Sequence, residues 1–93
     1  MNPVRVRMMR VFRLKYHISR PELGRESGLS PQRISEIELS TEPELTDATR
    51  AKMQGAFEAV MERRLSQCRE MARDFERSKG ALFDGVEETA YEL

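Results

Sequence analysis

Three side chains within the segment SPQRISEIE, residues 30–38, can read hydrogen-bonding edges. The Gln32 amide carries both a donor and an acceptor and can pair bidentately with adenine. The Arg33 guanidinium can pair with guanine O6 and N7, and the Glu36 carboxylate can accept from cytosine N4. Such readout requires the groups to share one face of a rigid element. Ile34 and Ile37 mark the apolar side of a helix, which leaves Gln32, Arg33, Ser35 and Glu36 on the other side.

The flanking residues say how that helix is held. Ser30 is its N-cap and Pro31 its first residue, where a missing N–H costs nothing. An earlier helix opens on Ser19 with Glu22 three residues on, a capping box. Leu23 is its apolar contact, Gly24 admits another helix closely, and Gly28 supplies the positive φ that ends it. Two helices across a short glycine-bearing turn describe a helix-turn-helix, whose second helix enters the DNA major groove.

Around this pair the expected fold class is all-α. Residues 4–16 read as a first helix with Val4, Met8, Val11 and Phe12 as its stripe, although the Val4-Arg5-Val6-Arg7 alternation also fits the start of a short strand. Helices at 19–27 and 30–38 follow, then a loop over 39–45. Thr46 is the expected N-cap of a long helix reaching Lys79, with Gly55 a close-packing point or a bend. Some thirty residues span about 45–50 Å. Its second half carries Met61, Leu65, Cys68, Ala72 and Phe75 at steps of 4, 3, 4 and 3, with Met71 alongside. Packing of this stripe on a second copy of the chain is favoured over folding back on helices one to three. Leu82, Phe83 and Val86 are candidates for docking on a neighbour, and the acidic end beyond them reads as a loosely ordered terminus. The expected division is a helix-turn-helix domain over 1–57 and a dimerising extension with a short acidic tail over 58–93.

Composition bounds the function. At 93 residues one domain with a small core is expected, and 34% charged residues suit a soluble helical protein. Phe12, Phe57, Phe75 and Phe83 are its large apolar anchors. Net charge is zero, but residues 1–35 hold 8 basic and 2 acidic side chains, net +6, and residues 80–93 hold 4 acidic and no basic ones. Local charge governs phosphate attraction within a Debye length of about 8 Å. The single cysteine, Cys68, allows no intrachain disulfide and reads as a small buried apolar residue. The N-terminus is interrupted by Arg5, Arg7, Arg10 and Arg13 and lacks the apolar stretch of a signal peptide, and no segment is long and apolar enough to cross a membrane. A cytoplasmic protein is expected. One histidine, His17, and one cysteine on different elements make a weak dyad, and neither a metal-ligand cluster nor a nucleotide-binding loop is present. Neither catalysis nor a cofactor is expected.

Residues 9–45 resemble the lambda-repressor-like, or XRE-type, helix-turn-helix family. Phe12-Arg13 stands at the family's Leu-Arg, Leu23-Gly24 at its Leu-Ala, Gly28-Leu29-Ser30 at its turn, and Ile34-Ser35-Glu36-Ile37-Glu38 resembles its ISRIE segment. The resemblance implies a structural ion pair between Arg13 and Glu38. It also implies a reading set of Arg20, Ser30, Pro31, Gln32, Arg33, Ser35 and Glu36, with Arg20 on phosphate or base. His17 departs from a family glycine, and the STEPE loop carries glutamates where relatives place basic phosphate contacts. The long extension replaces a separate fifth helix, and its LSQCREMARDFERSKGALF stretch looks like the dimerising tail of small bacterial and mobile-element regulators.

The expectation is a dimeric transcriptional regulator bound to double-stranded DNA at a pseudo-palindromic operator, with Met61, Leu65, Cys68, Ala72 and Phe75 at the dimer interface. The chain is too short for an added sensor domain, so no small-molecule effector is implied. The rival is a protein-interaction module in which the helix-turn-helix is a scaffold and the long helix binds a toxin or a polymerase subunit.

Overall fold

A computed structural model describes residues 5–91. The protein is all-helical, with no strand among the described residues. Helices α1 (Met8–Lys15), α2 (Arg20–Ser27) and α3 (Pro31–Leu39) precede a long α4 (Asp47–Ser78), and two short 3-10 turns follow at Lys79–Ala81 and Glu88–Ala90.

Local chemistry sets the boundaries. The Glu22 N–H donates to Ser19 Oγ at 3.1 Å, and the Arg33 N–H donates to Ser30 Oγ at 3.0 Å. Gly28, at φ +77°, ends α2 with its N–H on the Gly24 carbonyl. The Thr49 N–H donates to Thr46 Oγ1 at 3.2 Å at the head of α4. Helix α1 closes with a Schellman pattern: Ile18 N–H reaches the Arg13 carbonyl at 2.9 Å and His17 N–H reaches that of Leu14 at 3.3 Å. His17 holds the left-handed position of that motif at φ +53°.

The chain divides into two compact units, the first ending at Arg63 and the second beginning at Arg64. In the first, Ile18, Leu23, Ile34, Met53, Ala56 and Val60 form the core, with Met9, Leu29 and Phe57 packed against it. The division lies beyond the expected one at 57/58, because Val60 is wholly buried in that core and Arg63 pairs with Glu26. From Leu65 to Tyr91 every described residue is exposed.

Several sequence expectations change. Helix α1 starts at Met8 rather than residue 4; Val4 lies outside the described residues. The Arg7 backbone N–H donates instead to the Glu38 carbonyl at 2.9 Å. The expected stripe of Met8, Val11 and Phe12 is largely exposed, and α1 faces inward through Arg13 and Met9. Phe12 lies at the core's edge, its ring 5.5 Å from Phe57 and 4.8 Å from Tyr16. Gly24 admits α3 as expected, and the turn leading into it still more closely: a Cβ there would sit 3.7 Å from Ile34 Cδ1 and 2.7 Å from the Leu29 carbonyl oxygen. Gly55 packs closely on nothing, with open space where its Cβ would be. Cys68 is exposed, not buried, as is every described residue around it on the later part of α4. Phe75 and Phe83 are exposed as well.

Candidate nucleic-acid interface

Helix α3 is seated by its inner side. Ile34, Ile37 and Glu38 are buried, and Glu38 has no accessible surface. A bare carboxylate there would be costly, and arginines compensate it. Arg13 grips it with two charge-assisted bonds, Nε to Oε2 at 2.6 Å and Nη2 to Oε1 at 3.0 Å. Arg13 Nη1 donates to the Ile18 carbonyl at 3.0 Å, so this one guanidinium ties α3 to the end of α1. Arg20 Nε at 3.2 Å and Arg10 Nη1 at 3.4 Å approach Oε1 from the more exposed side. Burial pushes the Glu38 carboxyl up; the bonds and charge of Arg13, and then of Arg20, outweigh burial and hold it below its ordinary 4.5.

Arg7 completes the seat from the other end. Its guanidinium donates to the carbonyls of Ile37 and Pro43, each at 3.0 Å, and to that of Ser40. The last carbonyls of a helix have no partners within it, and Arg7 satisfies those of Ile37, through its side chain, and Glu38, through its backbone N–H. No buried side-chain polar atom lacks a partner among the described residues. Sequence reasoning gave no role to Arg7 or Arg10. In sequence each shows only its positive charge, since their partners lie about thirty residues away.

The outer side of α3 presents Pro31, Gln32, Arg33 and Glu36, all exposed, and Ser35, half-buried. Arg33 and Glu36 form an i,i+3 pair at 3.5 Å, with each side chain about half exposed. Such pairs contribute about 0.3–0.5 kcal/mol, little enough for another partner to replace them. Arg33, Glu36, Glu42 and Glu44 share a shallow depression of about 210 Å³ beside the loop that follows α3.

Of the residues singled out by sequence, Ser30 lies at the α3 N-terminus as its cap, beside Pro31, Gln32 and Arg33. Pro31 has no N–H and that of Arg33 is donated to Ser30, so this terminus offers an anion fewer donors than an uncapped one. Arg20 does not point away from the fold; it is bonded to Glu38, with about a third of its side chain exposed. Three guanidinium groups on one carboxylate leave an excess of positive charge at the partly exposed Arg10 and Arg20. Met61, Leu65, Cys68, Ala72 and Phe75 all lie on α4 and all are exposed. Among the described residues, no group of His, Cys, Asp and Glu side chains is placed to hold a metal ion, and no helix is long and apolar enough to cross a membrane. No protein-family model, curated protein or solved structure matches the chain.

Proposed function

We propose that this chain is a sequence-specific double-stranded DNA-binding protein of the lambda-repressor-like kind, acting in the cytoplasm as a dimeric transcriptional regulator without catalytic activity. In this reading α2, the turn at Gly28 and α3 form a helix-turn-helix, and α3 enters the major groove. The observation that carries it is the seating of α3. Ile34, Ile37 and Glu38 are held so firmly that Gln32, Arg33 and Glu36 stand on a rigid outer face. Preorganised side chains of these types pair with base edges at a small ordering cost. The excess positive charge at Arg10 and Arg20 favours phosphate nearby, and Arg20 then contributes from within the ion cluster rather than as a free side chain. The second copy is held through the exposed stripe of α4.

Selection of bound sequences from a random duplex pool, followed by fluorescence anisotropy at low and moderate salt, tests this reading. A preferred palindromic site with steeply salt-dependent affinity is expected. Gln32→Ala and Arg33→Ala should each reduce discrimination between sites by about 1–3 kcal/mol while leaving the fold intact. Absence of salt-sensitive binding to any duplex rejects the reading. One observation favours the rival protein-interaction module: Glu42 and Glu44 share the depression beside Arg33, where they would repel phosphate. Replacing both with Gln should strengthen DNA binding if α3 meets DNA.

A further inference from the structure

We propose that the stripe on α4 takes a second copy of this chain in antiparallel orientation, the two helices crossing between Leu65 and Cys68. This rests on the dimeric reading above and adds orientation and register to it. Met61, Leu65, Met71 and Phe75 are each about half or more exposed, an apolar surface that the single chain leaves uncovered. Their spacing, with Cys68 and Ala72, makes a two-residue seam in which Leu65 and Ala72 take one core position and Met61, Cys68 and Phe75 the other.

The charges beside the seam choose the orientation. Glu62, Arg69 and Glu76 flank one side at seven-residue intervals, while Arg64 and Met71 flank the other. A parallel, in-register pair brings opposite flanks together and sets Arg64 against Arg69 of the second copy, twice by symmetry. An antiparallel pair brings like flanks together. Crossing between Leu65 and Cys68 then sets Glu62 against Arg69 of the second copy, twice, with attraction in both.

The same register makes four apolar layers. Leu65 lies opposite Cys68 and Met61 opposite Ala72, and symmetry repeats both. Each large side chain meets a small one, as close packing of facing layers requires. Phe75 lies beyond these layers, opposite the turn at Glu58, and covers the end of the seam. Other antiparallel registers are poorer. Setting Leu65 opposite Phe75 sets Glu62 against Glu76 and Arg69 against its own copy. Crossing between Ala72 and Phe75 pairs Arg69 with Glu76 but brings Lys79 into the seam opposite Cys68.

Sedimentation equilibrium of the full chain and its variants tests the proposal. Arg69→Glu sets two carboxylates together in the antiparallel pair and should weaken the dimer roughly tenfold. Adding Glu62→Arg should restore it to within about twofold. In a parallel pair Arg69→Glu relieves the clash with Arg64 and tightens the dimer. Mild oxidation of the native chain mixed with a Leu65→Cys, Cys68→Ala variant should give mixed disulfides between positions 65 and 68. Tightening by Arg69→Glu, or a predominance of disulfides between two Cys68 residues, overturns the orientation and leaves the dimeric reading standing. A native chain that stays monomeric at tens of micromolar overturns both, and neither result depends on DNA.

Discussion

Among the described residues up to Arg63, seven apolar side chains are buried and a carboxylate with no accessible surface is met by three guanidinium groups; from Leu65 to Tyr91 every described residue is exposed. Both regions are helical, but for different reasons. Helices α1, α2 and α3 have 8, 8 and 9 residues, too short to persist alone in water. Packing and the ion cluster hold them. The later part of α4 is rich in Arg and Glu and carries the i,i+3 pair Arg77–Asp74, and Glu76 pairs with Lys79 just past its end at 2.9 Å. These residues favour helix without tertiary support, at a few tenths of a kcal/mol per pair. Tertiary contacts therefore fix the candidate reading face, whereas the exposed stripe needs a partner to gain comparable order.

The largest expected effect falls on the seat. Glu38→Gln removes the negative charge that Arg10, Arg13 and Arg20 share and should cost about 3–5 kcal/mol, the range for breaking a buried pair. Hydrogen exchange read on α2 and α3 would show it. Phe83→Ser, at a side chain 96% exposed, should change the same amides by less than about 0.5 kcal/mol. Equal effects would break the contrast between the regions. Glu38 also imposes a pH signature. Its folded carboxyl is held below 4.5, so its contribution is complete above the unfolded value and is lost as pH falls through the lower folded value. Unfolding midpoints measured from neutral to acid pH should fall more steeply below about 4.5 in the native chain than in Glu38→Gln.

Ile34→Ala comes next. Its side chain has no exposed surface, so truncation leaves a cavity in the small core and should cost about 2–5 kcal/mol. Denaturant unfolding followed by circular dichroism measures it, and a loss below about 1 kcal/mol would mean that the ion cluster alone seats α3. A smaller effect sharpens the comparison from the other side. Exchange protection of residues 64–78 should rise about tenfold, near 1.4 kcal/mol, as the chain goes from dilute to dimeric, while that of α3 stays constant. Protection independent of concentration would mean that this stretch needs no partner.

The elements legible in the sequence are those set by near neighbours. Ser19, Gly28, Ser30 and Pro31 fix the ends of α2 and α3 through contacts three or four residues apart. The inward positions Ile34 and Ile37 followed from helical spacing. What stayed hidden depends on distant partners. Hydrophobicity marked Met8 and Val11 as the inner side of α1, but an arginine occupies the inner side because Glu38 waits there. The same carboxylate draws Arg10 and Arg20, and the carbonyls at the end of α3 draw Arg7. An arginine's charge is visible in sequence, but its partner is not. Periodicity likewise outlined the stripe through Cys68 without saying what covers it.

The smallest predictions concern two backbone positions in the first region, and they mirror one another. His17 occupies a left-handed position at φ +53° that costs an L-residue about 1–2 kcal/mol and costs glycine little. Gly55 occupies the interior of α4, where a Cβ would meet nothing within 4 Å, and glycine costs about 1 kcal/mol relative to alanine in a helix. His17→Gly and Gly55→Ala should each stabilise the chain by up to about 1 kcal/mol, and the two should add, being on different elements with no shared contact of the backbone. Denaturant midpoints of the native chain, both single variants and the double variant measure this. A loss in His17→Gly would mean that the imidazole's own interactions outweigh the strain of its backbone. A loss in Gly55→Ala would mean that α4 uses the glycine's freedom, and the helix through that point would then be held by something other than its own propensity.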